Sequence, residues 1–267
     1  MSTSVLASPV QLPMTSSMSF QRILRSYLAE ARYEIVRTLR VPAFVIPTIA
    51  LPVMLYLFFG IVLNGEHAAA DPKVALGILS GFTMFSVIGP GMFGLGIGLA
   101  IERQSGILTL KRAMPMPPAA NLIAKVCSAM TLSFIVISSL ITLAVLFGHA
   151  HLGAGQVVGL ELVGVLGAVP FCAIGLLIGT LVSGTAAPAI VNLLFFPMIY
   201  LSGLFPFGMP KALQTASVIW PAFHLNQLSL AALGLKTSLD PRIAVAVLVA
   251  FTVACVATAA RRLARVG

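Results

Sequence analysis

Apolar and charged residues follow one another along this chain in long blocks, and each apolar block runs without a charge for the length of a helix. A bilayer core about 30 Å thick requires about 20 apolar residues in a spanning helix. The uncharged stretch from Leu162 to Pro210 exceeds one helix, and a turn-like Ser-Gly-Thr cluster divides it after Val182. The pattern therefore predicts an all-α integral membrane fold with six transmembrane helices. The predicted spans cover residues 42–63, 74–101, 119–147, 158–182, 186–204 and 241–261.

A helical pattern also precedes the first span. Apolar residues from Phe20 to Leu39 recur at steps of three and four, which predicts an amphipathic helix over residues 19–40, with Glu30 and Glu34 on the arginine face. A basic amphipathic helix that runs into a span is typical of one lying in the membrane interface, although packing on another protein is an alternative. The candidate headgroup-binding residues are Arg22, Arg25, Arg32 and Arg37. Residues 1–18 are predicted to form a disordered tail, and residues 19–265 a single transmembrane domain.

The segment between the last two spans, residues 210–235, is too polar and too interrupted to cross a membrane. Two short helices are predicted there, each preceded by a proline (Pro210 and Pro221), which is favoured in the first turn of a helix. Irregular backbone at membrane depth must be shielded by protein. We therefore expect a re-entrant or surface-lying helical pair on the external side.

Composition supports the membrane assignment, with 59% hydrophobic and only 9% charged residues and a mean hydropathy of +1.05. The formal net charge of +9 is spread over alternating loops rather than gathered into one basic surface, which argues against nucleic-acid binding. Arginine and lysine are concentrated before the first span, between spans two and three, and at the carboxyl end. By the positive-inside rule, both termini are cytoplasmic and the chain is a multi-pass protein of the cytoplasmic (inner) membrane.

The sequence motifs do not predict catalysis or cofactor binding. Gly89-Pro-Gly-Met-Phe-Gly94 matches a dinucleotide fingerprint literally but lies inside an apolar span, where small residues favour close helix contact instead. Gly94/Gly98 and Gly175/Gly179 have the spacing of such contacts. No Walker A, HExxH or GxSxG sequence occurs, so no enzymatic activity is expected of this chain. The isolated cysteines and His149-Ala-His151 do not predict a metal site.

The charged island between spans two and three carries a family resemblance. Glu102-Arg-Gln-Ser-Gly106 is followed by Leu110-Lys-Arg112, Pro115-Met-Pro117 and Lys125. With Leu201-Ser-Gly-Leu-Phe-Pro206 and the helical segment after it, this order resembles the permeases of ABC type-2 transporters. The resemblance extends over residues 19–265.

That family resemblance implies a half-transporter. Two permease chains, the same or homologous, would pair in the lipid bilayer, and each would engage a separate ATP-binding cassette ATPase that binds ATP and Mg; this chain itself would hold no cofactor. Residues 102–118 would form the coupling loop, with Glu102 to Lys111 as a coupling helix against the ATPase and the interfacial helix as a second contact. The implied coupling residues are Glu102, Arg103, Gly106, Lys111, Arg112 and Pro115.

The family's mechanism is ATP-driven export along a path lined by spans one, two and five. Candidate lining residues in this chain are Phe82, Phe85, Asn192, Phe195, Phe196 and Tyr200. An uncharged, aromatic path is suited to a hydrophobic or amphipathic substrate, such as a drug, a lipid-like molecule or a glycoconjugate. Two alternatives remain at this stage: an exporter of sodium or another small ion, and a non-transporting membrane scaffold or sensor.

Overall fold

A computed structural model describes residues 19–113, 117, 119–202 and 215–266, and every regular element in these ranges is a helix. The predicted tail, residues 1–18, lies outside the described residues. Residues 215–217 are helical, and ten further helices are numbered along the chain: α1 Phe20–Leu39, α2 Pro42–Val62, α3 Gly65–Ala70, α4 Pro72–Gln104, α5 Ile107–Ala113, α6 Ala120–Phe147, α7 Ala154–Leu181, α8 Ala187–Leu201, α9 Pro221–Ala232 and α10 Pro241–Val266.

Five of these helices are long and apolar enough to cross a membrane: α2, α4, α6, α7 and α10. Helix α8 is equally apolar but has only 15 residues, and the positions after Ser202 lie outside the described residues. The structure therefore supports five of the six predicted spans directly, and the sixth stays a prediction.

The ends of two spans differ from the sequence prediction. Helix α4 begins at Pro72, where the Asp71 side chain accepts a hydrogen bond from the backbone N–H of Lys73, and it continues to Gln104. Helix α7 begins at Ala154 instead of residue 158. The run of apolar residues predicts which part of a helix lies in the membrane core. The helix ends depend instead on capping side chains such as that of Asp71 and on prolines such as Pro72.

Helices α4 and α7 form the centre of the bundle. About two-thirds of the residues in their most apolar stretches are buried, against 17% for α2 and 22% for α10. Glycine allows the two central helices to touch backbone to backbone. A Cβ added to Gly175 would lie 2.8 Å from the carbonyl oxygen of Gly91 and 3.0 Å from the backbone nitrogen of Gly96, and one added to Gly179 would lie 2.9 Å from the Gly96 oxygen.

Of the two glycine pairs with a spacing of four, Gly175/Gly179 forms the contact between α4 and α7, whereas Gly94/Gly98 faces other helices. Gly94 faces the Phe44 ring and Gly98 lies beside the Lys125 ammonium, so neither meets α7. Residues Pro90–Ile97 form a π-helical segment of α4, in which hydrogen bonds join residues five apart. Glycines five apart, Gly91 and Gly96, therefore share the contact face, and a spacing of four does not apply there.

Helix α9 lies along α7 and α4, antiparallel to α7. Leu225 packs on Gly167, and further along, Ala232 packs on Gly159, where an added Cβ would lie 3.4 Å from the Ala232 methyl group. The Asn226 amide donates to the Ser202 carbonyl at 3.0 Å and its oxygen accepts from the Ser80 hydroxyl at 3.1 Å, which joins α9 to α4. Of the predicted helical pair at 210–235, this is the second helix; most of the first falls outside the described residues.

Candidate functional site

Helix α1 packs against the bundle with a charged face. Glu34 is only 5% exposed and Glu30 is half-buried, whereas Phe20, Leu24 and Leu28 point outward. The sequence places both glutamates on the arginine face of α1, and in the structure they turn toward the bundle, where Arg37 of the same face accompanies Glu34. Exposed apolar side chains are stable where lipid surrounds the helix, and a carboxylate turns inward when it finds counter-charges there.

The counter-charges of Glu34 lie on α6 and α1. The Lys125 ammonium is 2.9 Å from the Glu34 Oε1 atom and 2.9 Å from the Glu102 Oε1 atom, so one lysine links α1, α4 and α6. The Arg37 guanidinium lies 3.3 Å from both of the same carboxylates. Lys125 and Glu102 are 6% and 3% exposed, which places this crossing point inside the protein.

Lys111 brings the coupling loop into the same group. Its ammonium lies 2.6 Å from the Asn121 amide oxygen, 3.4 Å from Glu30 and 3.9 Å from Glu102. The Asn121 amide in turn donates to the other Glu102 oxygen at 3.5 Å. We call the resulting set the charge cluster. It consists of Glu30, Glu34, Arg37, Glu102, Lys111, Asn121 and Lys125.

The charge cluster contains three carboxylates and three cations, so its formal charges cancel. Burial opposes the charge of Arg37, but Glu34 and Glu102 outweigh that effect and raise its pKa above the ordinary value. A buried ion is stable only when it is paired and hydrogen-bonded, and removal of one partner leaves an uncompensated charge. The charge cluster therefore links four helices, α1, α4, α5 and α6, through charges that neutralise one another.

The coupling loop consists of a helix end, a turn and a short helix, and not of one helix from Glu102 to Lys111. Helix α4 ends at Gln104, Gly106 has φ +75°, and α5 starts at Ile107. A positive φ favours glycine, so this residue reverses the chain direction after α4. Beyond the turn, Leu110 is 68% exposed and Ile107 is exposed as well. The backbone of Arg112 belongs to α5, but its side chain lies outside the described residues, as does Pro115.

Arg103 and Gln104 face a different part of the chain. The Arg103 guanidinium donates to the carbonyl oxygens of Thr180 and Val182, and the Gln104 side-chain oxygen accepts from the Gly184 backbone N–H at 2.7 Å. Arg103 thus fastens the end of α4 to the end of α7. Its predicted contact with an ATPase stays a prediction.

The other predicted interfacial residues are exposed. Arg22, Arg25 and Arg32 lie on the outer surface of α1, and Arg37 alone of the four takes part in the charge cluster. The outer surface of α1 therefore carries both apolar side chains and arginines, which is typical of a helix at a lipid–water boundary.

The candidate pathway residues divide into a buried and an exposed group. Phe82, Phe85 and Phe195 are buried and in ring contact, with successive centroids 6.5 and 5.9 Å apart. Phe196 continues this row at 5.8 Å from Phe195 and is 67% exposed; Tyr200 is also exposed. The amide of Asn192, which is half-buried, donates to the Pro188 carbonyl of its own helix.

A wholly apolar cavity of about 350 Å³ lies between α7, α8 and α10, and none of the six predicted pathway residues lines it. Ile190, Leu194 and Met198 of α8 face it, together with side chains of α7 and α10 and Trp220.

Sequence reasoning missed Glu30, Glu34, Asn121 and Lys125 as site residues. The available signal was Lys125, the one charged residue in an otherwise uncharged apolar helix from Ala120 to Phe147. A charge in such a position requires a partner, and only the glutamates of α1 and the α4 end could supply it from the same end of the bundle.

Two comparisons with known proteins agree with this arrangement. The family model of the ABC-2 type transporter matches residues 25–233, from within α1 through α9. A protein of Bacillus subtilis (strain 168) named "Putative transport permease YvfS" is 28% identical over 195 residues, which is 72% of this chain and 79% of that protein. The family match extends over most of the described bundle, including every residue of the charge cluster. The chain is therefore a multi-pass membrane protein that belongs to the ABC-2 type transporter family.

Proposed function

We propose that this chain is the permease subunit of an ATP-driven exporter whose ATPase is a separate chain that docks on α5. The observation that carries this proposal is the position of α5. It presents Leu110 and Ile107 outward, while Lys111 on the same helix is held in the charge cluster. Exposed apolar side chains on a short, non-spanning helix are typical of a protein interaction site.

The charge cluster gives such a docking site a mechanical connection to the bundle. Movement of α5 acts on Lys111, and through its ion pairs on α1, α4 and α6. Because Glu34, Glu102 and Lys125 are buried, they cannot separate without leaving an unpaired charge, so the helices that carry them move together. Binding of ATP between two ATPase subunits would thereby favour one arrangement of the spans over another.

The exposed surfaces of α8 and α2 support the proposed substrate class. Phe196 and Tyr200 are exposed on α8, and α2 leaves most of its surface uncovered, so a second permease chain fits against these helices. A path between two such surfaces is uncharged and partly aromatic, which suits a hydrophobic or amphipathic molecule such as a drug, a lipid-like compound or a glycoconjugate. The arginines and lysines of the loops support an inner-membrane protein with both termini on the cytoplasmic side. Helix α5 would then lie on the cytoplasmic side as well.

Replacement of Leu110 by glutamate tests the docking site. The protein is purified from its native membrane in mild detergent, and any ATP-binding cassette subunit that accompanies it is identified and its Mg-ATP hydrolysis measured. Loss of one well-packed apolar contact costs roughly 2 kcal/mol at an interface centre, so we expect more than about tenfold less bound ATPase.

The matched control is His151→Glu, which places a glutamate at an exposed position at the other end of the bundle. Retention of the ATPase by this control and its loss from the Leu110 variant support docking on α5. Equal ATPase in all three proteins contradicts docking on α5, and its absence from the unmodified protein contradicts the transporter function itself.

A further inference from the structure

The turn between α7 and α8 rests directly on the last turn of α4. A Cβ added to Gly184 would lie 2.9 Å from the Gln104 side-chain oxygen and 3.1 Å from the Ile101 Cα atom. The absence of a side chain on Gly184 allows this close approach, and its N–H donates to Gln104 at 2.7 Å. The turn is thus held by a hydrogen bond and by close contact from one helix end.

Arg103 fixes the other side of the same junction. Its two terminal nitrogens donate to the carbonyl oxygens of Thr180 and Val182, the latter at 2.7 Å. These carbonyls belong to the last turn of α7 and to the residue just after it, where helical partners are missing. A guanidinium can hold two acceptors in a fixed orientation, which an ammonium cannot.

The junction adjoins both the coupling loop and α8. Gln104 is the last residue of α4 before the Gly106 turn into α5, and α8 begins at Ala187, three residues after Gly184. Within the described ranges, α7 cannot slide along α4 because Gly91 and Gly96 touch Gly175 and Gly179 through their backbones. Helix α8 contains no glycine and meets α4 through side chains instead, with the Phe195 ring 5.9 Å from the Phe85 ring, so this contact can adjust when the turn moves.

We propose that Arg103 and Gln104 are positioning residues that transmit movement of α5 through the α7–α8 turn to α8. The inference rests on the proposed function, because it takes α5 as the docking site. It goes beyond that function by assigning α8, which carries Phe196 and Tyr200, as the element that responds. The charge cluster moves α1, α4 and α6, whereas this junction reaches α8.

A thiol reporter on α8 tests the proposal in the permease–ATPase complex. Tyr200→Cys is introduced after the three native cysteines, Cys127, Cys172 and Cys255, are replaced by alanine. The rate of reaction with a maleimide dye is measured without nucleotide and after trapping with Mg-ATP and vanadate. We expect the rate to change by about threefold or more between the two states, and the change to disappear in Arg103→Ala/Gln104→Ala.

The variants are chosen to separate transmission from folding. Bound ATPase and its ATP hydrolysis should persist in Gln104→Leu, because Gln104 belongs neither to the charge cluster nor to the implied coupling residues, and both are measured in the double variant as well. Arg261→Ala, which removes an exposed arginine of α10, is the matched control and should keep the full reporter response. Arg103→Lys should weaken it, because an ammonium lacks the planar pair of donors that holds both carbonyls in one orientation. If the double variant does not fold, Gln104→Leu alone removes the bond to the turn and should weaken the response.

The outcomes distinguish failure of the transmission role from failure of the proposed function. An undiminished reporter response in folded Arg103→Ala/Gln104→Ala or Gln104→Leu overturns the transmission role and leaves the proposed function intact. A bound ATPase with no reporter response in the unmodified chain also overturns it. Absence of the ATPase from every form overturns the proposed function, and the transmission role with it.

Discussion

The α4–α7 contact and the charge cluster hold the same bundle together in opposite ways. The first is made of glycines whose backbones touch, with no side chain between them. The second is made of six long ionisable side chains and one amide, with ion-pair distances from 2.9 to 3.9 Å. Dispersion and close packing have one optimal arrangement, whereas long side chains can exchange partners over a range of geometries.

This difference indicates where the molecule can move. A backbone contact between glycines has no flexible side chains that could bridge a wider gap. We therefore expect α4 and α7 to move as one unit. The charge cluster can shift as long as its carboxylates and cations remain matched. The three predictions below test this contrast between a fixed and an adjustable joint, in order of decreasing effect.

The largest effect is expected from Glu102→Gln. Glu102 accepts from Lys125 and Arg37 and lies near Lys111, so its neutralisation leaves the charge cluster with an excess cation in a buried position. The loss of one partner from a buried ionic group costs about 3–5 kcal/mol. We expect a large fall in the apparent melting temperature, measured by size-exclusion chromatography of heated samples in detergent.

Removal of the excess cation should reverse that loss. Glu102→Gln combined with Lys125→Met restores charge balance with a side chain of similar length, and an apolar replacement of a buried ion pair is often neutral. We expect the double variant to regain most of the lost stability. A double variant less stable than Glu102→Gln alone would show that charge balance does not govern this joint.

An intermediate effect is expected from Gly175→Ala. The new methyl group would lie 2.8 Å from the Gly91 oxygen, and this close contact can be relieved only by moving α4 away from α7. Overpacking of this kind costs about 1–3 kcal/mol. Gly155→Ala on the same helix is the matched control, because no atom lies within 4 Å of its Cβ position. A melting temperature equal in both variants would contradict the fixed joint.

The smallest effect is expected from Arg37→Ala. Arg37 belongs to the charge cluster, but its side chain is 46% exposed, so water can replace it beside Glu34 and Glu102. Exposed ion pairs contribute about 1 kcal/mol or less. We expect a small fall in melting temperature that shrinks further at high salt, and a fall as large as that of Glu102→Gln would contradict this ranking.

The spans could be predicted because membrane insertion depends on a local property, the number of consecutive apolar residues. The predicted span 119–147 coincides closely with Ala120–Phe147. The face of α1 could not be predicted in this way. Periodicity identified an amphipathic helix but not which of its faces contacts the bundle. Beside a lipid bilayer, an apolar side chain such as Leu24 can face outward while a paired carboxylate such as Glu34 faces inward.

The candidate site was predicted in part for a related reason. Glu102 and Lys111 were identified from their motif, but partners that hold them are remote in sequence: Glu30 is 81 positions from Lys111, and Arg37 is 65 positions from Glu102. No local pattern connects such residues. The glycine contact shows the same limit at short range, since the π-helical segment of α4 replaced the expected spacing of four by a spacing of five.

The charge balance of the cluster also has an electrical consequence. A membrane potential does work on any net charge that moves across it, roughly 2.3 kcal/mol per charge for 100 mV. Because its three carboxylates and three cations cancel, the charge cluster can be displaced as a whole with almost no such work. A mechanical stroke that passes through these residues would therefore take the same effort in an energised membrane as in a depolarised one.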